Sequence, residues 1–516
     1  MRTNNNKAIM QDPSWADGYV VDVGYTEGFY PELTPVLLGF AALLGGTGAP
    51  DFGRPFTYYE LGCGNGKSTA LLAAANPHGR FIGVDFNPGH VRNGRRLAEQ
   101  GGVDNVEFLE KSFADLAGMD LEEADCIALH GVWSWVGGTH RRQILEFIDR
   151  RLRPGGLAYV SYNSLPGVSQ IEPLRRLLTD HARRGAGPLP GRIGQSVDFA
   201  NRLKAAGAEF FRISPIAASR LDSIIGQEPD YLAHEYYNEN WAAFYHADVC
   251  AELAQVGLRY AGSASMMDNF DALTLSAAAA ALAAETEDRA LAETVRDFAR
   301  NKAFRKDVFI RSAAGTDQPA LEALLDRTRF VLARPRGGCR LTEKTPSGEL
   351  TLEAKAYVPV LDALAREPMT FAALVGAPET AGMRRQDVRQ AVFGMAALGN
   401  ILPALPLNGE EARRSATTRF NNAVLPAPLP RASTILASPV RGSGIALNLL
   451  DRLMLDGPRR HQDAVEHALK AYLSSGSGIE VKSGVSLQET RAMIDERAAY
   501  FLEELLPFLR QAGVAE

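Results

Sequence analysis

The sequence predicts an α/β fold: a doubly wound parallel sheet carrying a helical insertion, followed by mostly helical C-terminal domains. Three observations predict it. Residues 58–87, YYELGCGNGKSTALLAAANPHGRFIGVDFN, read as strand, glycine turn, helix and second strand ending in Asp85. Apolar runs then recur at 106–109, 124–130 and 157–162, separated by helical patterns at 89–100 and 141–152. After residue 168 this alternation gives way to charged helical sequence, and strand-like runs return at 258–263 and 304–311. Strands alternating with helices at this spacing build a parallel sheet whose ligand lies at the carboxyl ends of the strands.

Each element has a local reason. Residues 1–20 are polar, and Tyr25, Phe29 and Tyr30 before Pro31 form a lead-in placed to cover the mouth of a site that follows. Residues 34–44 read as an apolar helix stopped by Gly45-Gly46-Thr47-Gly48, and Arg153-Pro154-Gly155-Gly156 reads as a turn. The insertion, 169–240, is helical with a Gly/Pro-rich interruption at 185–194. A helix at 244–257 ends in glycine before the next strand, and an alanine-rich helix follows at 273–284. Beyond 314, helices at 321–332, 358–366, 371–374 and 385–398 and a strand at 400–405 follow a winged-helix-like order. A proline-rich linker at 425–430 precedes a helical tail that closes with 490–512. The expected domains are 1–313, with a core at 51–168 and a helical lid or regulatory region at 169–302; a winged-helix-like domain at 314–410; and a helical domain at 411–516.

Composition narrows the function. A chain of 516 residues is too long for one ordinary core. No apolar run reaches the roughly 18 residues of a membrane helix, and the N-terminal stretch has no apolar region behind Arg2, so a cytoplasmic protein without membrane association is expected. Cys63, Cys126, Cys250 and Cys339 are far apart and form no Cys/His cluster, which points away from zinc and from a disulfide framework. A formal net charge of −6 lacks the basic face that nucleic acid requires, and opposite charges nearly balance between 355 and 405, favouring a packing or partner role for the winged-helix-like part.

Charge also selects the ligand of the glycine loop. A phosphate-wrapping P-loop needs Gly-x-x-x-x-Gly-Lys-Ser, but the spacing here is Gly62-x-x-x-Gly66-Lys67-Ser68, one residue short. For NAD or FAD, the carboxylate of Glu60 would be an awkward neighbour of a pyrophosphate. S-adenosylmethionine has no phosphate and carries a sulfonium and an ammonium. Glu60 then favours the cationic methionine end, Gly62, Gly64 and Gly66 let the backbone approach, and Asp85, with Phe86 beside it, is placed to accept both ribose hydroxyls. Ser112 and Phe113, after the third strand, would border the adenine.

The motifs ELGCGNG, VDFNP, HGVWSWV and RPGGLAYVSYNSLPG resemble class I S-adenosylmethionine-dependent methyltransferases, with their Rossmann-like sheet. More narrowly, HGVWSWV (130–136), SYNSLPG (161–167), HEYYNE (234–239) and FRKDVFIR (304–311) resemble the bacterial group with a methyltransferase regulatory domain. That group includes rickettsial protein-lysine methyltransferases acting on outer-membrane protein. The resemblance covers most of the chain, strongly to about 313, and implies transfer of a methyl group to protein lysine; Val168 stands where the group often has tryptophan. A small molecule or glycan as acceptor, or a degenerate scaffold acting as a binding module, are the alternatives, and a homodimer is an open assembly option.

Methyl transfer is an in-line displacement that needs positioning and a deprotonated nucleophile. His130 ends the fourth strand, where it can act as a base, touch the cofactor or hold the loop by a hydrogen bond. Trp133, Trp135 and Tyr162 follow strand ends and either wall an acceptor channel or pack. Asn163 either contacts substrate or caps a turn. His234, Glu235, Tyr236 and Tyr237 either reach the pocket from the lid or fix the lid by hydrogen bonds. The fourth-strand loop has no Asn/Asp-Pro-Pro-Tyr motif, which argues against amino groups of nucleobases or glutamine as acceptors.

Overall fold

The computed structural model describes residues 28–311, 317–345, 348–425, 433–474 and 487–515. Its centre is a seven-stranded sheet of β1 (Thr57–Leu61), β2 (Arg80–Asp85), β3 (Val106–Glu110), β4 (Ala124–Leu129), β5 (Leu152–Asn163), β6 (Leu258–Ser263) and β7 (Phe304–Arg311). The order is β3-β2-β1-β4-β5-β7-β6, with β7 antiparallel to both of its neighbours. The expected sheet is therefore mixed rather than wholly parallel. Alternation of residue types reveals a strand but not its direction, and only the pairing of Tyr162 with Arg305 and of Ser263 with Asp307 sets β7 against the rest. Arg153-Pro154-Gly155-Gly156 is also not a turn before a strand: it lies within β5, whose register against β4 shifts between Ala124 and Cys126.

Helix α1 (Pro35–Leu44) covers one face of the sheet together with Phe52 and Phe56. The opposite face carries α5 (Gly138–Arg151) and α11 (His246–Ala254). Along the chain between α1 and α5 come α2 (Lys67–Ala75), α3 (Pro88–Gln100) and α4 (Phe113–Gly118). The chain then forms α6 (Glu172–Arg184), α7 (Leu189–Ala205), α8 (Glu209–Ile213), α9 (Pro215–Ile224) and α10 (Pro229–Tyr236), which bury a core of their own around Leu174, Ile193, Leu221 and Leu232. The Gly/Pro-rich interruption is shorter than expected because Pro190 sits in the first turn of α7, where its missing N–H costs nothing.

A buried polar network ties β5, β7, α11 and the helix Arg289–Arg300 together. Asp307 accepts from Tyr162 Oη at 2.6 Å, His246 Nδ1 at 3.0 Å and Arg305 Nε at 2.8 Å. Arg305 also reaches Asp297 at 2.7 Å and Glu293 at 2.9 Å. Burial alone would raise the Asp307 carboxyl, but the Arg305 and His246 beside it outweigh that and hold it well below the usual range.

Beyond β7, Gln318–Arg327 is helical and Arg329–Leu332 is a strand, so the single helix expected at 321–332 is a helix followed by a strand. That strand is central in a three-stranded antiparallel sheet between Met369–Thr370 and Ile401–Ala404. One apolar core runs from Leu325 and Phe330 through Val388 to Leu436, Ile494 and Leu509, continuous across the boundary expected near 410. The hairpin of Thr434–Ser438 and Ser443–Leu447 packs on α2, and Phe420 joins Ala70, Ala74 and Phe108. Most of the proline-rich linker, the boundary at 313 and Tyr25 lie outside the described residues. Among the described residues, no helix is long and apolar enough to cross a membrane, and no cluster of His, Cys, Asp and Glu could hold a metal ion.

Candidate cofactor and acceptor site

At the carboxyl ends of β1, β2 and β4 the chain turns away without side chains in the way. Gly62 N and Cys63 N both donate to Val84 O, at 2.8 and 3.0 Å, which fastens the turn to β2. Gly62 has φ +74°, and a Cβ there would lie 2.6 Å from Val132 Cγ2. Two cavities meet at this turn. One, of ≈ 320 Å³, is lined by Gly62, Gly64, Asp85, Phe86, Ser112, Phe113, His130, Trp135 and Asn240, among others. The other, of ≈ 20 Å³, lies between Glu60, Gly62, Gly64 and Ser68 on one side and Gly28, Tyr30 and His130 on the other.

Glu60 is 3% exposed and accepts a hydrogen bond from Thr69 Oγ1 at 2.7 Å. Burial raises its pKa to about 7, against the pull of the Thr69 bond and with a further push from Asp85. Asp85 accepts from the Gly64 and Asn87 N–H groups, both at 2.9 Å, and lies 3.2 Å from His90 Nδ1. Asn87 caps α3 by accepting from Gly89 N, with Pro88 at the first helical position, so the VDFNP run places the carboxylate and starts the helix together. Ser112 caps α4 in a capping box with Asp115.

His130 is held on several sides. The Tyr30 ring lies 4.0 Å from it centroid to centroid, its Nδ1 is 2.9 Å from Tyr159 Oη, and Glu32 Oε1 is 3.9 Å from Nδ1. Burial lowers its pKa to about 4, with Glu32 pulling it up and Lys306 pushing it down, so the imidazole is neutral at pH 7. The lead-in closes this end: Tyr30 N donates to Ser68 Oγ at 3.2 Å and Glu32 pairs with Lys306 at 2.6 Å.

The structure brings Glu60, Gly62, Gly64, Asp85, Phe86, Ser112, Phe113 and His130 to the walls of the two cavities. Gly66 is not among the lining residues. A Cβ there would lie 2.5 Å from the Phe108 ring and 2.9 Å from Gly94 Cα, so this glycine lets α2 approach α3 and β3. Trp133 is fully buried in the sheet core, its Nε1 without a hydrogen-bond partner. Tyr162 is fully buried in the Asp307 network. Asn163 donates its backbone N–H to Ser134 Oγ and accepts from Phe244 N. None of the three lines either cavity, so Trp133 and Tyr162 pack and do not wall an acceptor channel, and Asn163 is no part of the cavity walls. His234, Glu235, Tyr236 and Tyr237 line neither cavity; His234 O accepts from Trp135 Nε1 at 3.0 Å and from Asn238 Nδ2 at 2.7 Å, Tyr237 Oη bonds Ser196 Oγ at 2.5 Å, and Arg220 lies over the Tyr236 ring and 3.9 Å from Glu235.

Sequence reasoning passed over His90, His140, Asn240, Glu32 and Tyr159. His90 had a signal, since it follows the Asn-Pro cap directly after Asp85. Tyr159 had none, because LAYVSY reads as uniform core.

A seven-stranded α/β sheet with β7 antiparallel, opened by a glycine turn between two acidic strand ends, defines a class I methyltransferase fold. Residues 59–156 match the family model described as a methyltransferase domain, and residues 228–311 match a predicted methyltransferase regulatory domain. An uncharacterized protein of Synechocystis sp. is 37% identical over 507 residues, covering 97% of this chain and 100% of that protein. Trans-aconitate 2-methyltransferase of Methylobacterium nodulans is 34% identical over 161 residues, 31% of this chain and 52% of that protein. The structure of PKMT2 from Rickettsia typhi in complex with AdoHcy aligns over 95% of this chain and 100% of that one, with TM-score 0.71 and 18% identity. The chain belongs to the class I S-adenosylmethionine-dependent methyltransferases that carry a methyltransferase regulatory domain, and its cofactor is S-adenosylmethionine. The donor set fits that cofactor: a buried carboxylate that ionises near pH 7 suits a cation.

Proposed function

We propose that this enzyme methylates protein lysine. Glu60 and the Gly62–Gly64 turn hold the methionine end of the cofactor, Asp85 accepts from the ribose, and Phe86, Ser112 and Phe113 border the adenine. S-adenosylmethionine supplies a methyl group on a sulfonium, already activated for displacement; the chain supplies alignment and a dry approach. The observation that carries the reading is the wall of the larger cavity, where Val132, Trp135, Val136 and the neutral His130 stand together. An amine entering among them is desolvated, which lowers its pKa and exposes the lone pair that attacks. Trp135 offers its ring to an approaching ammonium. The resemblance of HGVWSWV, SYNSLPG and HEYYNE to rickettsial protein-lysine methyltransferases, and the fold shared with PKMT2, support the same acceptor. Incubation with methyl-labelled cofactor and a bacterial lysate, followed by peptide mass spectrometry, is expected to place the added CH₂ on lysine.

A second reading, methylation of a small carboxylic acid, is favoured by the 34% identity over 161 residues to a trans-aconitate 2-methyltransferase. Label appearing only in the small-molecule fraction of the lysate selects it. Label in neither fraction selects a scaffold that binds without transferring.

A further inference from the structure

We propose that Tyr159 is a positioning residue that fixes His130 as a neutral imidazole with its proton on Nε2, making His130 a hydrogen-bond donor to the cavity and not the base of the reaction. The inference rests on the reading of this site as the place of methyl transfer. Tyr159 is fully buried on β5, and its phenol, pushed well above its ordinary value by that burial, keeps its proton. A buried hydroxyl that donates to nothing forfeits the desolvation cost of the group. His130 Nδ1 lies 2.9 Å from Tyr159 Oη, and in the proposed arrangement it accepts the phenol hydrogen. The Tyr159 oxygen also interacts with the Ser161 side chain; because Ser161 Oγ already accepts from Gly131 N at 2.8 Å, the Ser161 hydroxyl hydrogen is assigned to Tyr159 in the same arrangement. A directed chain results: Gly131 N–H to Ser161, Ser161 to Tyr159, Tyr159 to His130 Nδ1.

Every charged neighbour is consistent with this direction. Glu32 would claim a proton on Nδ1 if it were in reach, but it stands 3.9 Å away and its Oε1 is taken by Lys306 at 2.6 Å. The imidazole lone pair on Nδ1 is therefore occupied, and the remaining ring nitrogen carries hydrogen. His130 lines both cavities, and in the proposed tautomer that N–H is directed to the junction between them. A donor there complements an oxygen of the cofactor or substrate that keeps a spare lone pair, such as a carboxylate or a carbonyl, and leaves the single lone pair of a neutral amine free to attack. It cannot remove the proton of an alcohol.

The test is direct. The full chain is labelled with ¹⁵N-histidine, and long-range ¹H–¹⁵N spectra are recorded at pH 7 with S-adenosylhomocysteine absent and present; the His130 signals among the nine histidines are identified by their loss in His130→Asn. Expected is a pyridine-type Nδ1 and a protonated Nε2 in the wild type, with this pattern lost or mixed in Tyr159→Phe. A protonated Nδ1 or an imidazolium in the wild type overturns the proposal, as does an unchanged pattern in a folded Tyr159→Phe. In either case retained S-adenosylhomocysteine binding leaves the methyltransferase reading standing.

Discussion

With Glu60 at the methionine end of the cofactor, as proposed, affinity for the cofactor should depend on pH in a way that no exposed carboxylate would produce. Its folded pKa of about 7 stands above the ordinary 4.5 because the carboxyl is buried. In the free protein it is therefore about one-tenth ionised at pH 6 and about nine-tenths at pH 8. A ligand carrying an ammonium binds the ionised form, so binding below pH 7 must release a proton, and affinity rises with pH through this window. The expected gain from pH 6 to pH 8 is about tenfold, equivalent to about 1.4 kcal/mol. Calorimetry with S-adenosylhomocysteine in two buffers of different ionisation heat reads both the affinity and the protons released. Glu60→Gln keeps the Thr69 partner and the volume, so it should bind weakly and lose this slope. The ligand's own amine is common to both proteins, and the difference between them isolates Glu60. The same residue acts in the opposite sense on folding: between pH 4.5 and 7 the native state holds a proton that the unfolded chain has lost. Without ligand, stability should fall by up to about 3 kcal/mol as pH rises through that range. A wild-type affinity that is flat from pH 6 to 8, or a slope retained in folded Glu60→Gln, refutes the reasoning.

Three further outcomes follow from particular contacts. Gly62→Ala places a side chain at φ +74°, a strain of about 1–2 kcal/mol, and drives Val132 toward the cavity, so S-adenosylhomocysteine affinity should drop at least tenfold while circular dichroism stays native. Asp307→Asn leaves Arg305 partly unpaired in the core and should cost about 3–5 kcal/mol in urea unfolding. Because the Asp307 carboxyl is held low, its contribution is present above the unfolded value near 3.9 and lost as pH falls through the folded one; the acid limb of the variant should be flatter than that of the wild type. Phe420→Ala removes a buried ring shared with α2 and should cost about 3–5 kcal/mol. Calorimetric scans check where that loss falls: it should lower the melting of the catalytic sheet as well as that of the C-terminal region, and an unmoved catalytic transition would show the two to be independent.

What the sequence made legible was whatever depends on a few consecutive residues. Gly62 to Lys67 and Asp85 to Pro88 encode a turn and a cap by local geometry, and the cofactor followed from two charges. The misplaced residues depend on something finer. Along β5, Leu157 and Tyr159 face one side of the sheet, and Ala158, Val160 and Tyr162 the other. Reading the strand end as a rim puts Tyr162 at the site, but parity sends it to the Asp307 network and brings Tyr159 to His130 instead. Trp133 and Trp135 divide in the same manner, since one turn of 3-10 helix sends the first into the core and leaves the second on the cavity wall. Such choices are set by pairing across distant strands, and composition around each residue is the same either way.

The cofactor end of the site is also closed by segments that lie hundreds of residues apart. Gly28 and Tyr30 line the smaller cavity, and the strap they belong to is held from behind by the C-terminal hairpin. Thr34 Oγ1 and Ser443 Oγ are 2.6 Å apart, and a Cβ on Gly444 would lie 2.9 Å from the Phe29 ring. Asn76, at the far end of α2, donates to Gly442 O at 2.9 Å. The hairpin therefore touches both the strap over the smaller cavity and the helix that begins at the glycine turn. Any force that shifts the hairpin relative to the sheet must move Tyr30 against His130 or break these bonds. This gives the C-terminal region a physical route to the cofactor site that needs no residue of its own inside the cavity.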